Sequence, residues 1–235
     1  ALALSLDISI PHIQKAIAHA HIKGRMERVS LKSHEPSSNR LPEIRVDYAH
    51  TPDALKRAIT ALKAHCTGRL WVLFGCGGDR DAQKRPLMGA SCLHADGVVL
   101  SSDNPRDEDP QTIMTQVVPG LIQSGKKETK TGPQIDHYWL ESDRALAIYR
   151  LIACAQKDDL ILIAGKGHEP YQEVQNGLKL DFSDQEHALQ ALQWKKNDMM
   201  NEVNSLSTEQ LCIDSGGQLI FGQHHVLSEA VIDTR

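Results

Sequence analysis

Four short clusters in this 235-residue sequence gather residue types that bind charged groups: Asp47-Tyr48-Ala49-His50, Gly75-Cys76-Gly77-Gly78-Asp79-Arg80, Asp103-Asn104-Pro105-Arg106 and Gly165-Lys166-Gly167-His168-Glu169. The third sets a carboxylate, an amide and a guanidinium around a rigid turn. That set suits a zwitterion, because an arginine fork grips a carboxylate while Asp103 and Asn104 meet an ammonium. The same residues also fit an Asx-type turn carrying a surface arginine. The glycines of residues 75–78 would let backbone N–H groups approach an anion, and they equally suit a plain turn from strand to helix. No Lys-Ser/Thr pair closes the run, so it is not a complete nucleotide P-loop. Glu169 is placed to hold a second ammonium, whereas His168, Asp47 and His50 fit structural and functional roles alike.

These side chains can act together only if the fold converges them. Apolar runs at 44–46, 70–74, 97–101, 137–140 and 160–164 read as strands. Helices are expected between them at about 51–65, 86–94, 109–124 and 142–156. Thr51-Pro52 and Asp109-Pro110 are cap-plus-proline helix starts. Alternation of continuous apolar strands with helices predicts an α/β fold: a Rossmann-like, mostly parallel sheet with helices on both faces. Ligands of such sheets sit at the carboxyl ends of strands. All four clusters fall there, so they should open onto one rim.

Flanking signals complete the layout. Residues 10–22 have a helical period, and residues 30–40 read as a polar loop. Asn176-Gly177, between 173–174 and 178–180, is a hairpin turn. Ser183-Asp184-Gln185-Glu186 is a capping box opening a helix to about residue 195. Residues 207–213 read as a short helix, and Leu219-Ile220-Phe221 with Val226 suggests the opening of another domain.

Composition excludes several classes. Apolar residues make up 40% and charged residues 24% of the chain, with a formal net charge of -4, which is ordinary for a soluble globular protein. No basic stripe with aromatic platforms offers itself to nucleic acid. No apolar run is long enough for membrane insertion. Cys66, Cys76, Cys92, Cys154 and Cys212 form no C-x-x-C pair, which favours a reducing, cytoplasmic setting over disulfides or zinc. Neither a nucleophile elbow nor an H-E-x-x-H spacing is present.

Taken with Gly24-Arg25-Met26-Glu27, Thr51-Pro52-Asp53-Ala54-Leu55 and Lys84-Arg85-Pro86, the clusters occur in an order and spacing that resembles the Mur ligases. Within that family the match is to the type that adds 2,6-diaminopimelate to a UDP-N-acetylmuramoyl-dipeptide (MurE type), over about residues 1–195. The resemblance implies a three-domain, ATP-dependent ligase of peptidoglycan precursor synthesis that forms an acyl phosphate for the incoming amine to attack. It implies that Arg80, Asp103, Asn104, Arg106, Gly165 and Glu169 bind meso-diaminopimelate. By the same resemblance Asp47, Tyr48 and His50 lie against ATP, with Arg25 reaching it from a domain hinge. Partners would be meso-diaminopimelate, ATP and UDP-MurNAc-dipeptide. The phosphate loop and most Mg2+ ligands belong to the family's central domain, so this chain alone is expected to bind without turnover and to hold no catalytic or metal-binding residue of its own.

The resemblance also implies boundaries. Residues 1–23 would end the central domain and 24–197 would form the C-terminal domain. Residues 198–235 would be a linker and the truncated start of a D-alanyl-D-alanine-adding (MurF type) ligase, which makes the parent a MurE-MurF fusion; so short a segment is expected to be disordered or loosely docked. The rival readings are a non-catalytic anion or amino-acid binding module of Rossmann-like fold, and a dehydrogenase fragment. The dehydrogenase is disfavoured because no G-x-G-x-x-G follows the first strand.

Overall fold

The structure, a computed structural model, describes residues 8–19, 22–31 and 41–200, and three short strands within 211–226. A first helix, α1 (Ile10–His19), precedes the sheet. Strand β1 (Glu27–Val29) then pairs antiparallel with β2 (Glu43–Asp47). The alternating units follow: α2 (Pro52–Lys63), β3 (Leu70–Phe74), α3 (Lys84–Ala90), β4 (Gly97–Ser101), α4 (Pro110–Gln123), β5 (Lys127–Thr129), β6 (His137–Glu141), α5 (Arg144–Cys154) and β7 (Leu160–Ala164). A hairpin of β8 (Tyr171–Val174) and β9 (Leu178–Asp181) comes next, then α6 (Asp184–Met200).

The sheet has seven strands in the order β1-β2-β7-β3-β4-β6-β5. Only β1 runs antiparallel; every other pairing is parallel. This is the expected α/β architecture. Every residue of β3, β4 and β7 is buried, as a sheet covered on both faces requires. One core packs Leu73, Val99, Ile161 and Ile163 against Ile148 and Ile152 of α5 and Ala188 and Leu192 of α6. The other packs Val72, Phe74, Leu100 and Leu162 against Leu55 and Ile59 of α2, Met88 of α3, and Met114 and Val117 of α4. Each such side chain larger than alanine contributes roughly 1.5–3 kcal/mol.

Helix ends follow local chemistry. Thr51, Asp109 and Asp143 cap α2, α4 and α5 by accepting from N–H groups of the first turn. Helix α3 starts two residues earlier and ends four earlier than the 86–94 expected. Pro86 sits in its first turn, where a missing N–H costs nothing. Tight turns from Cys92 to Gly89 and from Ala95 to Cys92 then return the chain to β4. The hairpin turn has Asn176 at φ 61° and Gly177 at φ 68°, as an Asn-Gly turn demands.

Two corrections concern short elements. Strands β1 and β5 were not foreseen. Within the stretch 207–213, expected helical, Leu211–Ile213 (β10) is a strand paired antiparallel with β11 (Leu219–Phe221), which pairs with β12 (His225–Val226). Residues 198–200, expected to open a linker, instead close α6, and the remainder of the expected linker and MurF-type segment lies outside the described residues. Among the described residues no helix is long and apolar enough to cross a membrane.

Candidate functional site

Strands β2, β7, β3 and β4 are consecutive neighbours in the parallel sheet. The four clusters leave their carboxyl ends one beside another, on a single rim. Gly165 N–H donates to the Asp47 carbonyl (3.1 Å) and Gly78 N–H to the Asn104 carbonyl (2.9 Å), so adjacent loops are bonded to each other directly.

Asn104 is the hub. Its Nδ2 donates to Glu169 Oε2 (2.9 Å), and its Oδ1 accepts from Lys166 Nζ (2.8 Å) and from the Glu173 N–H (2.9 Å). Lys166 Nζ also lies 3.3 Å from Glu169 Oε2. Burial pulls the Lys166 ammonium below the ordinary lysine range, and the Asp103 carboxylate opposes that shift. Asp103 is only 8% exposed, yet among the described residues no donor reaches its carboxylate. Glu169 likewise engages one carboxylate oxygen and leaves Oε1 without a donor among them. A nearly buried carboxylate with unused acceptor capacity suits an ammonium partner.

Gly165 closes this half of the site. Its φ of +116° disfavours any side chain, and a Cβ there would fall on Asp103 Oδ2. Gly165→Ala should therefore destabilise the chain by about 1–3 kcal/mol and displace Asp103. Urea denaturation checks this, and an unchanged midpoint would refute it.

The guanidinium half comes from Arg106, which adopts φ +53°. Its Nη1 donates to the Gly78 carbonyl at 2.8 Å and, more weakly, to that of Asn104 at 3.5 Å. Its Nε lies 3.0 Å from Glu173 Oε2. Arg80 is exposed, and both arginines flank Gly77: a Cβ there would stand 3.0 Å from Arg106 Nη1 and 3.7 Å from Arg80 Cγ. The 75–80 run is less an open anion cradle than a platform for the 103–108 loop. Gly78 N–H serves Asn104, Asp79 N–H donates to Glu108 Oε1 (2.5 Å), and a Cβ on Gly78 would fall on the Pro105 carbonyl.

At the β2 end the Arg25 guanidinium lies 4.4 Å from the centre of the Tyr48 ring. His50 meets that ring edge-on at 4.5 Å, and His168 approaches at 5.8 Å. His50 Nδ1 is 2.8 Å from the Tyr48 carbonyl. Asp47 turns toward its own chain, its Oδ2 accepting from the Met26 N–H at 2.7 Å. It thereby pins residues 24–27 beside the rim. The structure thus brings Asp103, Asn104, Arg106, Gly165 and Glu169 together with Arg80 alongside, and gathers Arg25, Tyr48 and His50 next to them.

Supporting residues went unread in the sequence. Arg144 pairs with Asp184, both wholly buried, through Nε (2.8 Å) and Nη2 (2.9 Å), and donates to the carbonyls of Ser102 and Ala164. Buried Arg85 grips Glu108 with both terminal nitrogens and reaches the Gly77 carbonyl. Lys166 lay within a cluster but had no role assigned. Among the described residues no three His, Cys, Asp or Glu side chains group as a metal site.

Comparison with known proteins fixes the class. The family described as Mur ligase, glutamate ligase domain, matches residues 24–167, and the chain belongs to it. It is 45% identical over 196 residues to the UDP-N-acetylmuramoyl-L-alanyl-D-glutamate--2,6-diaminopimelate ligase of Prochlorococcus marinus, covering 83% of this chain and 35% of that protein. Identity to the ligase of the same name from Vibrio vulnificus is 44% over 192 residues, covering 81% of this chain and 35% of that one. A solved structure of UDP-N-acetylmuramoyl-L-alanyl-D-glutamate--2,6-diaminopimelate ligase aligns with a TM-score of 0.59 at 39% identity, over 76% of this chain and 33% of that chain. The chain thus spans about a third of the length of the curated relatives it matches.

Proposed function

We propose that this chain is the amino-acid-recruiting part of a cytoplasmic, ATP-dependent ligase that adds meso-diaminopimelate to UDP-N-acetylmuramoyl-L-Ala-D-Glu in peptidoglycan precursor synthesis. The observation that carries the reading is the Asp103 carboxylate, nearly buried and without a donor among the described residues, set on the same loop as a guanidinium. Meso-diaminopimelate has an ammonium and a carboxylate at each end. Asp103 and Glu169 Oε1 offer acceptors for ammonium groups, while Arg106 and Arg80 offer donors for carboxylates. Lysine lacks the second carboxylate and would leave one guanidinium unmatched, which is the basis for discrimination. The relatives named for this reaction support the same choice.

ATP would supply the phosphoryl group that activates the acceptor carboxylate. Within this chain the Tyr48 ring, with Arg25 on its face and His50 at its edge, fits a nucleotide: an aromatic platform beside a cation. Asp47 would act there by holding Arg25 and Met26 in place. Mg2+ would take most of its ligands from the central domain of the complete ligase. The part of this chain is to bind and orient the nucleophilic amino acid, a contribution that depends on positioning.

Asp103→Asn in the complete ligase tests this. It keeps the size and removes the charge, so the KM for meso-diaminopimelate should rise about 10- to 150-fold, the scale of a lost charge-assisted hydrogen bond. The KM for ATP should stay within about twofold of its starting value. An unchanged KM for meso-diaminopimelate would sink the pocket. Diaminopimelate binding without diaminopimelate-dependent phosphate release would favour a non-catalytic amino-acid binding module.

A further inference from the structure

The β8–β9 hairpin supplies none of the groups assigned above, yet it holds Arg106, one of the two guanidiniums offered above to the carboxylates of meso-diaminopimelate. Its first strand is bonded to the loop after β4 along its length. Gln172 Nε2 donates to the Asp103 carbonyl (2.6 Å), Glu173 N–H to Asn104 Oδ1 (2.9 Å), and Arg106 N–H to the Glu173 carbonyl (3.1 Å). Asn176 N–H reaches Asp107 Oδ1 at 2.8 Å. These bonds hold Arg106 at φ +53°, a conformation that a non-glycine residue keeps only where its surroundings impose it.

The guanidinium is held just as fully. Nε faces Glu173 Oε2, and Nη1 serves two backbone carbonyls. No acceptor among the described residues reaches Nη2, so one edge remains for a ligand carboxylate. Glu173 has another cation at hand, Lys179, directly across the hairpin in register. Lys179 Nζ instead sits 4.1 Å from the centre of the Tyr171 ring, and Glu173 turns to Arg106.

We infer that Glu173 is a specificity-determining positioning residue: by its ion pair at Nε it aims the Nη2 edge of Arg106 at the distal carboxylate that diaminopimelate has and lysine lacks. The inference rests on the diaminopimelate reading given above. A guanidinium freed at Nε swings about its flexible stem and presents that edge only part of the time, which weakens recognition of the carboxylate without touching the ammonium sites.

Kinetics of the complete ligase with Glu173→Ala and Glu173→Gln, on meso-diaminopimelate, L-lysine and ATP, test it. Glu173→Ala should raise the KM for meso-diaminopimelate about two- to fivefold, the scale of a partly exposed ion pair, and lower the preference over lysine by the same factor. Its KM for ATP and its kcat/KM for lysine should hold. Glu173→Gln keeps the shape but removes the charge of the ion pair and should recover only part of the loss. Wild-type behaviour of Glu173→Ala overturns the inference. So does tighter diaminopimelate binding in both variants, which would make Glu173 a competing counter-ion. Equal losses for all three substrates overturn it too, as collapse of the hairpin. Arg106→Ala separates the two levels: if it leaves diaminopimelate use unchanged, the reading beneath the inference falls, whereas a loss in Arg106→Ala with none in Glu173→Ala removes only the inference.

Discussion

Replacing Arg106 by alanine in the complete ligase should lower kcat/KM for meso-diaminopimelate by roughly 30- to 5,000-fold, the equivalent of about 2–5 kcal/mol for truncating one member of a desolvated charge pair. The Arg106 side chain is 19% exposed, so part of the field it exerts is not screened by water. The loss has two sources: the ligand carboxylate loses its donor, and Glu173 is left half-buried without the cation that faces it. Arg106→Lys should recover only part of the rate, because an ammonium supplies charge without the planar fork. The KM for ATP should move by less than about twofold, since the Arg25, Tyr48 and His50 cluster stands on a different loop. Steady-state kinetics with each substrate varied in turn would show the split. Equal losses for ATP and diaminopimelate would mean that Arg106 supports the rim as a whole and reads no carboxylate.

The sheet was legible because its central strands are apolar except for Ser101 at the end of β4. β3, β4 and β7 lie between two helical layers, so no polar residue interrupts their interiors, and their sequence limits coincide with their structural ones. β1 and β5 were not legible for the opposite reason. Each has three residues at or near a sheet edge and buries one, Val29 or Thr129, too little for any period to register. Their pairing partners determine them. The 211–213 strand is similar, since it takes its conformation from pairing with β11.

The site was legible where chemistry is local and hidden where it is not. Residues 103–106 and 165–169 announce themselves as short polar runs after apolar strands, and strand order does the rest. What no local pattern reveals is who holds whom. Asn104 is 69 residues from Glu173 and Arg144 is 40 from Asp184. Before the fold is known, Glu173 is one more acid in a polar hairpin and Arg144 one more helix arginine. The glycine run left two readings open, an anion cradle or a plain turn, and its N–H groups at Gly78 and Asp79 bond to the neighbouring loop.

The buried Arg144–Asp184 pair should yield the largest loss of stability. Arg144→Met strands a fully buried carboxylate, and Asp184→Asn strands a fully buried guanidinium. Each should cost about 3–5 kcal/mol, because a lone charge cannot recover its hydration in the core. For a chain of this size that lowers the thermal midpoint by roughly 6–20 °C. The double variant Arg144→Met/Asp184→Leu removes both charges and should regain much of that loss, as apolar replacements of buried pairs often do. Recognition should not return with it. Arg144 also donates to the carbonyls of Ser102 and Ala164, the residues just before Asp103 and Gly165, and so sets the departure angle of both rim loops. The double variant should therefore be stable yet keep a raised KM for meso-diaminopimelate. Thermal denaturation alongside kinetics separates the two roles. Recovery of both stability and KM would show that the pair serves the core alone, and that backbone bonds between the loops suffice to align the rim.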